Sequence, residues 1–319
     1  MTARRALLLA AAGALLLSAS ATAATHAAPN GAAPNGAAPN GAAPPDAAPN
    51  GAAPNGAAPP DAPAPYPWLT APHAGDVLEE RIAPPEGFAR VPVAAGSFGA
   101  FLRRLPLVPA REPVRAYDGR ALATPHVAVV ALDVGARDLQ QCADSALRLR
   151  AEHLWARGQQ RRLAFHATSG DRLPFSRYAG GEQIAVQGNK VRWRAADRGA
   201  AVGERNRAAL ARWLDDVFLY AGSLSLAKDT VAVTGDVAPG DLFVVGGSPG
   251  HVLVVLDVAT KGAERRLLIG EGFMPAQSFH VVPAPDGSPW VAPAPDGSVS
   301  VPTWPAPFPR SSLRRFTEP

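Results

Sequence analysis

The stretch Pro239–Phe273, PGDLFVVGGSPGHVLVVLDVATKGAERRLLIGEGF, decides the fold. It holds three apolar, largely β-branched runs, DLFVVGG, HVLVVLDVA and RRLLIGEGF, separated by a Gly/Pro/Ser turn and by a short charged turn. Runs of this composition read as strands. Connections this short join neighbours that run in opposite directions, because a parallel return needs a crossover of a dozen or more residues. The expectation is an antiparallel meander, with His251 opening its second strand and Glu271 closing its third.

Helical patterns lie upstream. GSFGAFLRRLPL (Gly96–Leu107) puts Phe98, Phe101, Leu102 and Leu105 at helical spacing before a proline stop, which predicts a short helix. HVAVVALDVG (His126–Gly135) is apolar on both faces and reads as a buried strand. Asp138 can then cap a helix, with Gln141 in the capping-box position, and the helix is expected to run to about Trp155. Leu139, Cys142, Ala146 and Leu149 form one stripe on it, so Cys142 falls in its second turn on the core side. RRLAFHATSG (Arg161–Gly170) reads as a further strand, and Glu204–Gly222 as an amphipathic helix ended by glycine. The tail repeats PAPDGS at Pro283 and Pro293 around Trp290, which predicts an irregular hairpin wrapping the domain. Helices ahead of a run of strands give an α+β class, helices packed on an antiparallel sheet.

The N-terminus has another character. Residues 1–24 combine Arg4 and Arg5, an apolar run and small residues near Ala21 and Ala23, the layout of a secretory signal. Its apolar run falls short of the ~20 residues a spanning helix needs, and no comparable stretch follows, so no integral membrane domain is expected. Residues 25–64 hold seven pentapeptides, five AAPNG and two AAPPD, without a branched aliphatic or aromatic residue. Such a tract cannot build a core and is expected to be a disordered linker. Residues 65–319 remain for one domain, and the protein is expected to be exported.

The net charge of +4 falls to +2 when Arg4 and Arg5 leave with the signal, and no basic run carries interleaved aromatics, so nucleic acid is not an expected partner. Neither paired histidine spacing nor CxxC occurs, so no metal and no cofactor is expected. There is likewise no G-x-S-x-G elbow for a serine hydrolase.

Chemistry centres on the single cysteine, Cys142. An unpaired thiol in an exported protein is either inert in a core or present to react. A cysteine nucleophile needs a base within reach and a group that orients the base. His251, directly after the glycine-rich turn GGSPG, is the candidate base, and Glu271 on the next strand its orienter. Gln140, Gln141 and Gln277 are candidates for an oxyanion or substrate-binding role. His126 is the rival base; His166 and His280 are isolated strand histidines; Asp133, Asp138 and Asp144 read as turn, cap and solvated face. A reactive thiolate should titrate below the ~8.5 of free cysteine, whereas a buried structural cysteine should not label until the chain unfolds.

Two resemblances bear on this. The blocks GSFGAFLRRLPL, DLQQCADSALRLRAE, PGDLFVVGGSPGHVLVVLDVA and GEGFMPAQSFHV look like the bacterial domain-of-unknown-function family DUF4846 over nearly all of the chain after the linker. That resemblance implies a secreted bacterial protein and no defined activity. PGDLFVV and GHVLVVLD are also similar to the corresponding strands of NlpC-type cell-wall cysteine peptidases. This second resemblance implies a papain-like fold, His251 as base, Cys142 as nucleophile and Glu271 at the third polar position. Taken together, the expectation is a cysteine-dependent hydrolase or transferase acting on an amide or ester bond of a cell-envelope peptide or peptidoglycan. The alternative is a non-catalytic envelope module that binds a peptide or glycan and carries an inert cysteine.

Overall fold

The computed structural model describes residues 66–196 and 201–317, so the expected signal and repeat tract lie outside the described residues. The chain first forms α1 (Leu78–Arg81), β1 (Ala89–Arg90), α2 (Phe98–Arg103), β2 (Ala128–Val129) and α3 (Cys142–Ala156). A peripheral group follows: β3 (Ala164–His166), β4 (Arg172–Pro174), α4 (Phe175–Ala179), β5 (Glu182–Gln187) and β6 (Lys190–Ala195). Then come α5 (Arg207–Tyr220), α6 (Ser223–Asp229), β7 (Thr230–Ala232), β8 (Asp241–Val245), β9 (His251–Lys261), β10 (Glu264–Glu271), β11 (His280–Val282) and β12 (Leu313–Phe316).

The predicted meander is present. β8 pairs antiparallel with β9 from Leu242↔Val254 to Val245↔His251, and β9 with β10 from Lys261↔Glu264 to Val254↔Gly270. These strands are the centre of an eight-stranded antiparallel sheet in the order β2-β11-β10-β9-β8-β12-β7, with β1 beside the far end of β9. The class is therefore α+β, as expected.

β9 is buried on both faces from His251 through Ala259, and this divides the core. Val252, Val254 and Leu256 face one apolar cluster with Ala146, Leu147 and Leu149 of α3 and Trp213 of α5. Leu253, Val255 and Val258 face a second cluster with Val291, Val299, Val301 and Phe308 of the C-terminal segment. Helices thus cover one face of the sheet, and the tail straps the other. Trp290 is anchored there by its indole N–H, which donates to Ala83 O at 2.8 Å. Asp257 of β9, 1% exposed, binds Arg90 of β1 at 2.6 Å and Arg103 of α2 at 2.8 Å, tying the early elements to the centre of the sheet.

Some expectations are corrected. His126–Gly135 yields only the two-residue edge strand β2, because neighbouring backbone takes its hydrogen bonds: Ala131 N–H donates to Pro106 O (2.8 Å) and Val108 N–H to Val129 O (3.0 Å). RRLAFHATSG forms a strand, β3, as expected, and it pairs with β4 in a separate two-stranded sheet. β12 was not anticipated; it returns from the end of the chain to lie between β8 and β7.

Candidate active site

α3 begins at Cys142, one turn later than the sequence suggests. Asp138 does not cap it, because its carboxylate accepts from Ala276 N–H at 2.7 Å and from Gln141 Nε2–H at 3.2 Å. Gln141 is the cap instead. Asp144 Oδ2 accepts from the Gln141 N–H at 3.1 Å, the N3-to-cap half of a capping box. Cys142 is thereby the first helical residue, where the N–H groups of Cys142 and Ala143 have no intrahelical partner and the helix dipole is positive. Asp144 is not on a solvated face: it is 6% exposed, and burial pushes its carboxyl up to about 7 against the stabilising Gln141 and Asp144 N–H groups.

His251 is 1% exposed, and its Nε2 lies 2.7 Å from Glu271 Oε2. The same carboxylate oxygen accepts from the Thr303 hydroxyl at 3.1 Å. Trp304 stacks over the imidazole with centroids 5.0 Å apart and a 20° interplanar angle, while Phe273 meets it edge-on at 4.9 Å. Burial alone would raise Glu271; hydrogen bonds and charge from His251 and His280 outweigh it and hold the carboxyl below its ordinary range. An ionised carboxylate only accepts, so the His251 nitrogen facing it carries the proton, and Nδ1 of the neutral ring is left with its lone pair.

The helix start meets this pair where the ladder ends. β10 stops pairing with β9 at Gly270↔Val254, so His251–Leu253 run past it. Gly272, just beyond, packs so closely on α3 that a Cβ there would collide with Ser145 Oγ and lie 3.0 Å from Gln141 O. The Cys142 sulfur sits in this region, acted on by the backbone N–H of Ala143 and of Val252, the residue after His251. His251 and Glu271 project toward the tail-covered face, and the thiol enters from the helix layer beside the β9 backbone. Burial is the main force on the thiol and pushes it up to about 11; the charges of Asp144 and Glu271 add to this, and the two N–H groups oppose it. The thiolate expected below the ordinary cysteine range is therefore not what this environment produces.

Gln140 and Gln141 are committed elsewhere. Gln140 accepts from Arg148 (3.0 Å) and donates to Asp133 O (3.3 Å), while Gln141 donates its Nε2–H to Asp138 (3.2 Å). Gln277, 2% exposed, keeps an unpartnered Nε2, and its neighbour Ala276 is the residue tied to Asp138. Both nitrogens of the rival base His126 face carbonyls, of Thr124 at 2.8 Å and Glu112 at 3.1 Å. His166 has a partner the sequence did not reveal, Asp229 at 2.7 Å.

The sequence also missed Thr303, Trp304 and His280, whose roles depend on contacts distant along the chain. His280 lies directly opposite Glu271 in the β10–β11 ladder and is fully buried. Among the described residues the buried side-chain polar atoms without a hydrogen-bond partner are Glu271 Oε1, His280 Nε2, Asp144 Oδ1, Ser145 Oγ, Gln277 Nε2 and, in the helix layer, Trp213 Nε1. Native interiors pair nearly all such atoms. Among the described residues no group of His, Cys, Asp and Glu is disposed to hold a metal ion, and no helix is long and apolar enough to cross a membrane.

Residues 78–315 match the family described as "Domain of unknown function (4846)". No curated protein and no solved structure matches the chain.

Proposed function

We propose, for a chain that belongs to this domain-of-unknown-function family, a papain-like, NlpC-like cysteine hydrolase or transferase acting on an amide or ester bond. The observation that carries the reading is the His251 Nε2–Glu271 Oε2 bond of 2.7 Å at the strand end where the Cys142 sulfur meets the Val252 amide. The bond fixes the tautomer that leaves Nδ1 as a base.

With the thiol near 11, about one molecule in ten thousand carries a thiolate at pH 7. Chemistry therefore proceeds by base assistance rather than from a standing thiolate–imidazolium pair. His251 removes the thiol proton as sulfur bonds to the substrate carbonyl carbon, and Glu271 stabilises the imidazolium. The carbonyl oxygen, now negative, is received by the Cys142 and Ala143 N–H groups at the helix start, with Gln277 Nε2 as a further donor. His251 returns its proton to the leaving amine or alkoxide, and water or a second nucleophile attacks the thioester. The secretory signal expected at residues 1–24 supports export and a cell-envelope peptide or peptidoglycan as substrate.

One observation favours the second reading, a binding module with an inert thiol: a cavity of about 550 Å³ lies elsewhere. It is lined by Thr234, Asp236, Glu264, Arg265, Pro295 and Arg310, at the other end of the β9–β10 hairpin. Alkylation separates the two. In the catalytic reading native Cys142 labels, and both Cys142→Ala and His251→Ala fold but lose turnover on cell-envelope peptide. A thiol that labels only after denaturation, or turnover that persists in either variant, supports the binding module.

A further inference from the structure

We infer that His280 is a positioning residue of this site, a doubly protonated imidazolium that holds the second oxygen of Glu271. The inference rests on the reading of Glu271 as the orienter of His251. Its observation is separate: both His280 ring nitrogens face oxygen. Nδ1 lies 3.0 Å from Ser278 O, and a carbonyl only accepts, so Nδ1 carries a proton. Nε2 lies 3.4 Å from Glu271 Oε1, an ion-pair distance without hydrogen-bond geometry, and neither atom has a hydrogen-bond partner.

A neutral ring protonated at Nδ1 would set a bare Nε2 lone pair against a carboxylate, two acceptors in a site shielded from water. Unpaired groups of that kind are costly when buried. A second proton on the ring turns the clash into a charge-assisted donor. Glu271 then receives His251 and Thr303 on Oε2 and His280 on Oε1, and its two oxygens cannot exchange roles. The charge balance changes as well. Glu271 from β10 and Asp144 from α3 both raise the Cys142 thiol; a cation on β11 opposes the first of these. His251, on Oε2, is the other titratable group that faces this carboxylate.

The test is the ¹⁵N resonances of the labelled histidine rings in the intact protein at neutral pH. His280 is expected to show two protonated-type nitrogens, and in Glu271→Gln one of them is expected to revert to the bare type. A neutral His280 ring in the wild type, or no change in Glu271→Gln, overturns the inference. His280→Asn supplies a second readout, because its amide can still donate to Ser278 O while the contact to Glu271 is lost. Its Cys142 alkylation profile is expected to move up by about one pH unit, a roughly tenfold slower rate at a fixed pH. An unmoved profile in a folded variant contradicts the assignment. These outcomes separate from the hydrolase reading: a doubly protonated His280 beside a Cys142 that never becomes acylated leaves this inference standing and removes the catalytic one.

Discussion

Asp144 shows how one buried carboxylate sets the terms for its neighbour. Its cap to the Gln141 N–H needs only an oxygen acceptor, which an asparagine side chain also offers. Its charge, in contrast, sits in a site that favours the neutral form: the carboxyl rises from 3.8 to about 7. A group whose folded value is raised contributes stability below its unfolded value and loses it as pH climbs through the folded one. Wild-type stability should therefore decline between about pH 4 and pH 7, and Asp144→Asn should remove this part of the decline. At pH 8 the variant should be more stable by an amount on the order of a few kcal/mol, at 1.36 kcal/mol per pKa unit. Denaturant titrations at pH 5 and pH 8 check this, and equal stability differences at the two values contradict it. Because the Asp144 charge also raises the thiol, the same variant should alkylate faster than wild type at pH 8.5.

At the scale of elements, the decisive contact is between the start of α3 and the strand ends of β9 and β10. Gly272 makes it possible through lack of a side chain, not through a special backbone angle. Gly272→Ala should force a Cβ into Ser145 and Gln141, at a cost of about 1–3 kcal/mol typical of overpacking. Thermal melts give the loss, and native alkylation should rise as the thiol leaves its shelter; an unchanged melting temperature would show that the two elements do not meet there. This contact also marks where the sequence stopped being legible. β8, β9 and β10 were readable because their pairing is local and their turns are short. α3 was readable as a helix, but its first residue was not, because the carboxylate of Asp138 is taken by Ala276 from 138 positions away. The β5–β6 hairpin went unread although QIAVQGNKVRW alternates around a Gly-Asn turn. β12 had no such local signal, since its partners β7 and β8 are separated from it by the whole tail.

At the scale of the molecule, the sheet is a partition with helices on one side and the tail on the other. Cys142 comes from the first layer and Thr303 and Trp304 from the second, while His251 and Glu271 lie in the sheet between. Cys142, His251 and Glu271 were legible as candidates because a lone thiol and a histidine after a glycine-rich turn are visible in one dimension. The tail's part was not, because nothing near Trp304 in sequence announces a partner 53 positions earlier at His251. Asp257 ties the early elements to the sheet through Arg90 and Arg103. Asp257→Ala would leave Arg90 and Arg103 without their shared carboxylate, and loss of one partner of a buried pair costs roughly 3–5 kcal/mol. A chemical-denaturation midpoint that does not move would remove this residue from the account.

The central claim is that His251 activates Cys142 for attack on an acyl carbon. The most direct measurement is the intact mass of the native protein after brief exposure to p-nitrophenyl acetate near pH 7.5. The account predicts one acetyl group, located on Cys142, absent in Cys142→Ala and formed far more slowly in folded His251→Ala. No acetylation of the native protein, or the same rate with His251 removed, would contradict it.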